Sequence, residues 1–413
     1  MTTHPVAIAN VGGPAPARLR AAEELCAAVA LASAVFLGAS LFKGAWLIDW
    51  RGFAIPYDFV SVLAAGRLAL EGHPAAAYDW TIHKQAEVEA LGHGFDLYIS
   101  WSYPPPFFFV STLLARLPYF AAFAIWMGVT WPVFALTLRR IVGHRLGLLL
   151  AAAFPATLLN VAVGQNGFFT ATLIGGTLLL LERRPVLAGL CLGILVYKPQ
   201  FGLLFPLALA VAGYWRTFLT AAGVGIALAL ASWVAFGTEA WVAFFQAMPL
   251  NAKAVLSDGL ADFGKLQSLF GLVRVLGGGE TTAWVYQITA ALVSALGVII
   301  IWRRPVPFEL KAAALSLGTL FVTPYVFAYD LTILALPTAF VICLGLRTGF
   351  WPGEPTALVG AAACILLFPL VALPLGLLAM LVAAALILRR VSVDELVPNS
   401  VAKSAPGLES GTR

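Results

Sequence analysis

The chain has 413 residues, of which 61% are hydrophobic and 11% charged, with a formal net charge of +5. Soluble domains carry about 25% charged residues, so a mean hydropathy of +0.91 excludes a water-soluble globule and makes the bilayer the natural solvent. Lipid offers the backbone no hydrogen-bond partners, and long apolar runs without alternation select helices over a closed barrel. The basic residues sit at the ends of those runs, which is a membrane-orientation pattern and not a nucleic-acid signature.

In chain order, residues 1–24 are polar and include Arg18 and Arg20, and the first apolar run, about 25–48, is long enough to span. This reads as a signal anchor with a cytoplasmic N-terminus rather than a cleaved signal peptide. A polar loop follows over about 49–102, with Asp49, Asp58, Glu71, Asp79, Glu87, Glu89 and Asp96 against Arg51, Arg67 and Lys84. Its acidic excess agrees with an external location. Inside it, Asp58 follows Pro56 and opens a predicted helix from Phe59 to Glu71 that stops at Gly72, and a second helix is predicted over Thr81 to Leu91. Both have apolar faces suited to a membrane surface.

Tyr103 to Leu117 begins Tyr103-Pro104-Pro105-Pro106 and has Arg116 near its end. A full span here would place Arg139 and Arg140 outside, so a short or re-entrant segment is expected. Apolar runs then follow at about 119–138, 146–163, 167–182, 185–197, 199–215, 217–237, 284–302, 310–327, 331–346, 356–372 and 374–388. With Arg139, Arg140, Arg145, Arg183–Arg184, Arg216, Arg303–Arg304, Arg347 and Arg389–Arg390 all cytoplasmic, the runs alternate consistently and both termini lie inside. The expected fold is an all-α polytopic membrane protein of about 12 spans, its membrane domain covering 25–390, with a second external loop over about 238–283. The tail over 391–413, rich in Pro, Ser and Gly, is expected to be disordered and cytoplasmic.

A few polar residues stand out against this background. Asp58 has the position of a helix N-cap, and equally of a carboxylate held at the water–lipid boundary that takes a proton from a hydroxyl. Lys198, in Tyr197-Lys198-Pro199-Gln200, is either a snorkelling span-end lysine or a functional intramembrane charge, and Pro199 restricts it to extended geometry in what suggests a broken helix. Gly164-Gln165-Asn166-Gly167 is either an ordinary turn or a pair of amides for sugar hydroxyls or phosphate. Asp330, next to Tyr329, again reads first as a cap. In the second loop Lys253, Lys265 and Arg274 are candidates to meet a phosphate, with Gln267 and Ser268 between the last two. The cysteines (Cys26, Cys191, Cys343, Cys364) fall in apolar runs without zinc spacing and imply no disulfide. His73, His83 and His93 share the acidic loop but do not pair at helical spacing, so no metal site is expected. No Walker loop or dinucleotide fingerprint is present in the sequence, which disfavours nucleotide chemistry.

These pieces, in this order, resemble glycosyltransferase family 87, whose members are membrane enzymes with a fold of the GT-C type. The matching stretches are Asp58-Phe59 after Tyr57, Ala65-Gly66 and Gly72, Tyr78-Asp79, Tyr103-Pro104-Pro105, Gly164-Gln165-Asn166, Ala188-Gly189-Leu190, Lys198-Pro199-Gln200, Leu266-Gln267-Ser268 with Arg274, and Pro324-Tyr325 with Tyr329-Asp330-Leu331. They run over roughly 50–345. The resemblance implies transfer of a hexose, typically mannose, from a polyprenyl-phosphate donor to a glycolipid or glycan acceptor at the external face of a bacterial inner membrane. It implies Asp58 as catalytic base; Lys198, Gln165 and Arg274 match recurrent polar positions. Some relatives carry a histidine around Tyr329-Asp330, and this chain has none there. On this reading Lys198, Lys265 and Arg274 meet the donor phosphate, while Gln165, Asn166, Gln267, Tyr329 and Asp330 meet sugar or acceptor. The donor is already activated and its single phosphate can be met by lysine or arginine, so no metal or other cofactor is expected. A flippase or transporter of lipid-linked sugar, and a polysaccharide polymerase or ligase, are the rival readings.

Overall fold

The computed structural model describes residues 15–49, 51–52, 54, 58–95, 99–371 and 373–394. The polar segment as far as residue 14, the tail from residue 395, and Tyr57 of the first motif lie outside them. Helix α1 (Ala15–Phe42) leads to two two-residue strands, β1 (Ala45–Trp46) and β2 (Ile48–Asp49), paired antiparallel. Helices α2 (Phe59–Leu70) and α3 (Trp80–Leu91) form the first loop, within a residue of the sequence expectation. Gly72, at φ +85°, ends the first of them by adopting the left-handed backbone that a side chain disfavours.

The expectation that α2 lies on the membrane surface does not hold. It is buried from Phe59 to Gly66, and the backbone of helix α4 (Phe108–Leu114) comes so close that a Cβ on Gly66 would sit 2.2 Å from the Ser111 carbonyl oxygen. The apolar stretch Pro105–Leu114 that contains α4 measures about 15 Å, half the hydrocarbon thickness. It is the short segment that the charge pattern requires, ending before helix α5 (Tyr119–Val142).

Helices α6 (Leu146–Ala153) and α7 (Pro155–Val163) bend by 53° at Phe154, where the following proline forces extended backbone. Then come α8 (Gly167–Leu180), α9 (Pro185–Ile194), α10 (Phe205–Ala212) and α11 (Trp215–Ala252), the last broken at Gly237. The second loop is therefore partly helical: α11 runs into it and is followed by the short α12 (Leu269–Val275). Helices α13 (Glu280–Arg303), α14 (Phe308–Val322), α15 (Ala335–Thr348), α16 (Glu354–Leu367) and α17 (Leu375–Asp394) complete the chain.

Among the described residues, six helices are long and apolar enough to cross a membrane, or seven if the bent α6–α7 pair is one span. Several other apolar helices have only 10–17 residues. The core is built where α5, α8, α14 and α15 meet, around the fully buried Phe134, Leu138, Phe168, Ile174, Leu315 and Leu336. Close approach between helices relies on small residues, because lipid supplies no hydrophobic drive between them. Gly189 and Gly193 of α9, four apart on one face, lie against α11 so tightly that a Cβ on either would come within 2.5 Å of Thr220 or Val224.

One end of the bundle is tied by ion pairs. Arg145 grips Glu23 through two bonds of 2.7 and 2.6 Å, Arg390 grips Glu354 at 2.6 and 2.5 Å, and Arg347 meets Glu309. These partners place the start of α14 and α16 and the end of α15 and α17 together.

Candidate active site

The polar residues singled out in the sequence gather where the other ends of α7, α8 and α15 meet the first loop. Gly164 closes α7 in the left-handed conformation, with φ +74°. It packs so closely that an added Cβ would meet Phe59 Cβ at 2.6 Å. Gln165 and Asn166 form the turn, and α8 restarts at Gly167, whose backbone N–H donates to Asn160 Oδ1 at 2.9 Å.

Asp58 does not cap α2. Its backbone is already helical, and its side chain accepts no hydrogen bond from the first turn. Instead Gln165 Nε2 donates to Asp58 Oδ2 at 2.9 Å. Gln165 is itself held by Tyr103, whose hydroxyl donates to Gln165 Oε1 at 3.1 Å and accepts from Asn166 Nδ2 at 2.7 Å. Tyr78 fixes the backbone of Tyr103 by donating to its carbonyl at 2.8 Å. The Tyr103 ring sits against Trp101, Phe107 and Tyr197. Burial pushes the Tyr103 phenol above its ordinary value, so it keeps the proton that it donates.

Asp58 lies outside the candidate spans and is half-buried. Its surroundings desolvate it, and this pushes its carboxyl above the usual carboxylate range. The Gln165 hydrogen bond and the positive charges of Lys265 and Lys198 oppose that push, and the buried Glu87 adds to it.

Lys198 is neither exposed nor snorkelling. It lies between two 3-10 turns that break the α9–α10 run, as the proline at 199 predicts. Its ammonium donates to Asp330 Oδ1 at 2.8 Å, with both side chains buried. Asp330 Oδ2 accepts the Phe327 N–H at 3.1 Å, so this carboxylate shapes its own loop as well. The Tyr329 ring lies 5.1 Å and the Tyr103 ring 6.0 Å from the Lys198 nitrogen. Through the ring of Tyr103 the Lys198–Asp330 pair joins the Asp58–Gln165 network.

Two of the sequence candidates have other employment. Gln267 is fully buried; its amide donates to the carbonyls of Gly264 and Lys265 at 3.1 and 3.2 Å and accepts from Gly376 N–H at 2.8 Å. It clasps the second loop to the start of α17. Arg274 donates to the Ser257 and Gly278 carbonyls at 3.0 and 3.3 Å and stacks over Phe263. It laces the loop that carries the exposed Lys265. The three loop histidines do not converge: His83 Nε2 lies 3.0 Å from Ser61 Oγ and 3.4 Å from Glu87, while His93 faces the Ala54 carbonyl. No group of three or more His, Cys, Asp or Glu that could hold a metal occurs among the described residues.

Sequence reasoning quoted Tyr103 only as part of a motif and passed over Asn160. The single signal for Asn160 was a polar residue inside an apolar run. Two buried amide atoms in this cluster, Asn166 Oδ1 and Asn160 Nδ2, have no hydrogen-bond partner among the described residues. Burying such groups unpaired costs about 1–3 kcal/mol each, which marks them as places where a water or hydroxyl belongs.

The sequence profile of Glycosyltransferase family 87 matches residues 101–324, more than half of the chain. The chain belongs to glycosyltransferase family 87. The match contains Tyr103, Gln165, Asn166, Lys198, Lys265, Gln267 and Arg274, while Asp58, Tyr329 and Asp330 lie outside it. It is the fold that carries those three to the matched residues. Neither the curated proteins nor the solved structures searched contain a match. Family 87 membership and the apolar helices together make this a membrane glycosyltransferase.

Proposed function

We propose that this enzyme transfers a hexose, with mannose the first candidate, from a polyprenyl-phosphate sugar to a lipid or glycan acceptor on the external face of a bacterial inner membrane. The reaction is an inverting single displacement with Asp58 as general base. The observation that carries the reading is the state of Asp58. Gln165 engages one carboxylate oxygen, Oδ1 accepts no hydrogen bond among the described residues, and burial has raised the proton affinity of the group. A base of raised pKa is a better proton acceptor for a hydroxyl near neutral pH.

In the step proposed, Asp58 Oδ1 takes the acceptor hydroxyl proton as the oxygen attacks the anomeric carbon. The bond from that carbon to the phosphate oxygen breaks, and polyprenyl phosphate leaves with the electron pair and a second negative charge. Lys265 at the surface and Lys198 beneath meet that charge as it develops. Arg274 contributes by shaping the loop that holds Lys265. Asn166 Oδ1, buried and without a partner among the described residues, accepts a sugar hydroxyl, with Gln165, Tyr329 and Asp330 around it.

Sidedness in this reading follows from the arginines. The tied end of the bundle holds Arg145, Arg347 and Arg390, and the positive-inside rule sends such an end to the cytosol. Counting α14 and the shorter apolar helices Gly167–Leu180, Pro185–Tyr197, Pro199–Ala212 and Glu354–Leu370 as passes brings the chain to about 12 crossings. The membrane domain then covers 25–390.

The test is transfer by the detergent-purified protein from polyprenyl-phosphomannose to an acceptor mixture. Transfer by the parent protein that vanishes in a folded Asp58→Asn variant supports the reading. Transfer retained in that variant removes Asp58 from the base role, and lipid translocation in liposomes without transfer favours a flippase.

A further inference from the structure

A cavity of about 290 Å³ opens away from the candidate active site, at the turn between α8 and α9. Its lining includes Glu182, Tyr214, Trp302, Phe308 and Lys311. Glu182 lies in the turn itself, Tyr214 precedes α11, Trp302 ends α13, and Phe308 and Lys311 open α14. The aromatic wall is fixed: Trp302 donates its indole N–H to the Lys311 carbonyl at 2.9 Å and packs edge-on against Tyr214 and Phe308 at 6.2 and 6.4 Å. Arg183, Arg184 and Arg303 are exposed nearby in sequence.

The charges in this cavity are its unusual feature. A carboxylate and an ammonium line one hollow without reaching each other. Neither the Glu182 nor the Lys311 side chain has a hydrogen bond or ion pair among the described residues. The aromatic wall and the flanking arginines are the furniture of a membrane–water interface. We propose that the cavity is a binding site for a zwitterionic aminophospholipid headgroup, its primary ammonium on Glu182 and its phosphate on Lys311. An anionic headgroup would satisfy Lys311 and confront Glu182 with like charge. A choline headgroup would offer Glu182 a methylated nitrogen with no proton to donate. Only a headgroup with both a phosphate and a proton-bearing ammonium answers both walls.

The test is lipid retention by the full chain in native mass spectrometry, with phosphatidylethanolamine, phosphatidylcholine and phosphatidylglycerol of identical acyl chains. A charge-assisted hydrogen bond to the ammonium predicts roughly tenfold better retention of the ethanolamine lipid than of the glycerol lipid. Glu182 is exposed, so Glu182→Gln leaves the fold intact, as its melting temperature will check, and it closes that gap. Lys311→Gln, whose backbone carbonyl still receives Trp302, weakens retention of all three lipids, since each carries the phosphate. Equal retention of all three lipids, preference for choline or glycerol, or a preference that survives Glu182→Gln would overturn the assignment. So would displacement of the lipid by an equal concentration of free phosphoethanolamine, which would identify a soluble ligand instead.

Discussion

Gln165 and Asp58, 107 positions apart in sequence, meet through a 2.9 Å hydrogen bond from amide to carboxylate. Because the amide occupies Oδ2, the orientation of Oδ1 is set by a residue in the turn between α7 and α8 rather than by the loop that carries Asp58. The expected consequence is that Asp58→Asn lowers transfer by roughly 10²–10⁴-fold, while circular dichroism and melting show a folded protein.

The raised proton affinity of Asp58 fixes the sign of two pH effects. Its acid limb in a kcat/KM profile should lie above the ordinary value of 3.8 for the group. A carboxyl whose folded pKa is raised contributes stability that is fully present below the unfolded value and lost as pH rises through the folded one. Asp58→Asn should therefore be at least as stable as the parent at neutral pH, and its advantage should vanish in acid. A variant that melts lower than the parent at neutral pH would contradict this.

The Tyr103 hydroxyl bonds Gln165 and Asn166 rather than Asp58 itself, which makes it a positioning residue in the proposed reaction. Tyr103→Phe removes both hydroxyl bonds while keeping the ring among Trp101, Phe107 and Tyr197. A misplacement of this kind costs up to roughly 100-fold in rate, so kcat should fall while the donor KM stays near that of the parent. A change in KM alone would assign Tyr103 to substrate binding instead.

The buried Lys198–Asp330 pair predicts an asymmetry in stability. Removing one partner leaves an uncompensated buried charge at a cost of about 3–5 kcal/mol, whereas replacing both with apolar residues is often neutral. Lys198→Met and Asp330→Leu should each be destabilised in chemical denaturation, and the double variant should recover most of the loss. Loss of transfer in that stable double variant would separate a role in the reaction from a role in folding.

Gly167 tests the packing beneath the site. A Cβ there would come within 2.4 Å of Thr332 Oγ1 and of the Tyr329 carbonyl oxygen. Overpacking of this order costs about 1–3 kcal/mol. Gly167→Ala should lower the melting temperature and the transfer rate together, since the same shift moves Gln165 and the Tyr329–Asp330 segment.

The sequence by itself determined the class of the protein and the location of its breaks. An apolar fraction too large for water, the proline at 199, the glycines at 72 and 164, and arginines at the helix ends are local or compositional signals, and each has its counterpart in the fold, whereas the break before Pro155 inside the run 146–163 was not expected. It also named Asp58, Gln165, Asn166, Lys198 and Asp330, because a polar residue beside an apolar run stands out. Only the tertiary structure decided what each side chain meets. Asp58 had the local signature of a cap and is claimed by Gln165; Lys198 had that of a snorkelling lysine and is claimed by Asp330. Gln267 and Arg274, equally conspicuous in sequence, are turned inward to carbonyls of their own loop, and Tyr103 gained its place through a phenol whose partners come from the α7–α8 turn. The physical reason is common to all of them: local preferences are set within a few residues, but a buried polar group must find its partner wherever the packing of helices has brought one.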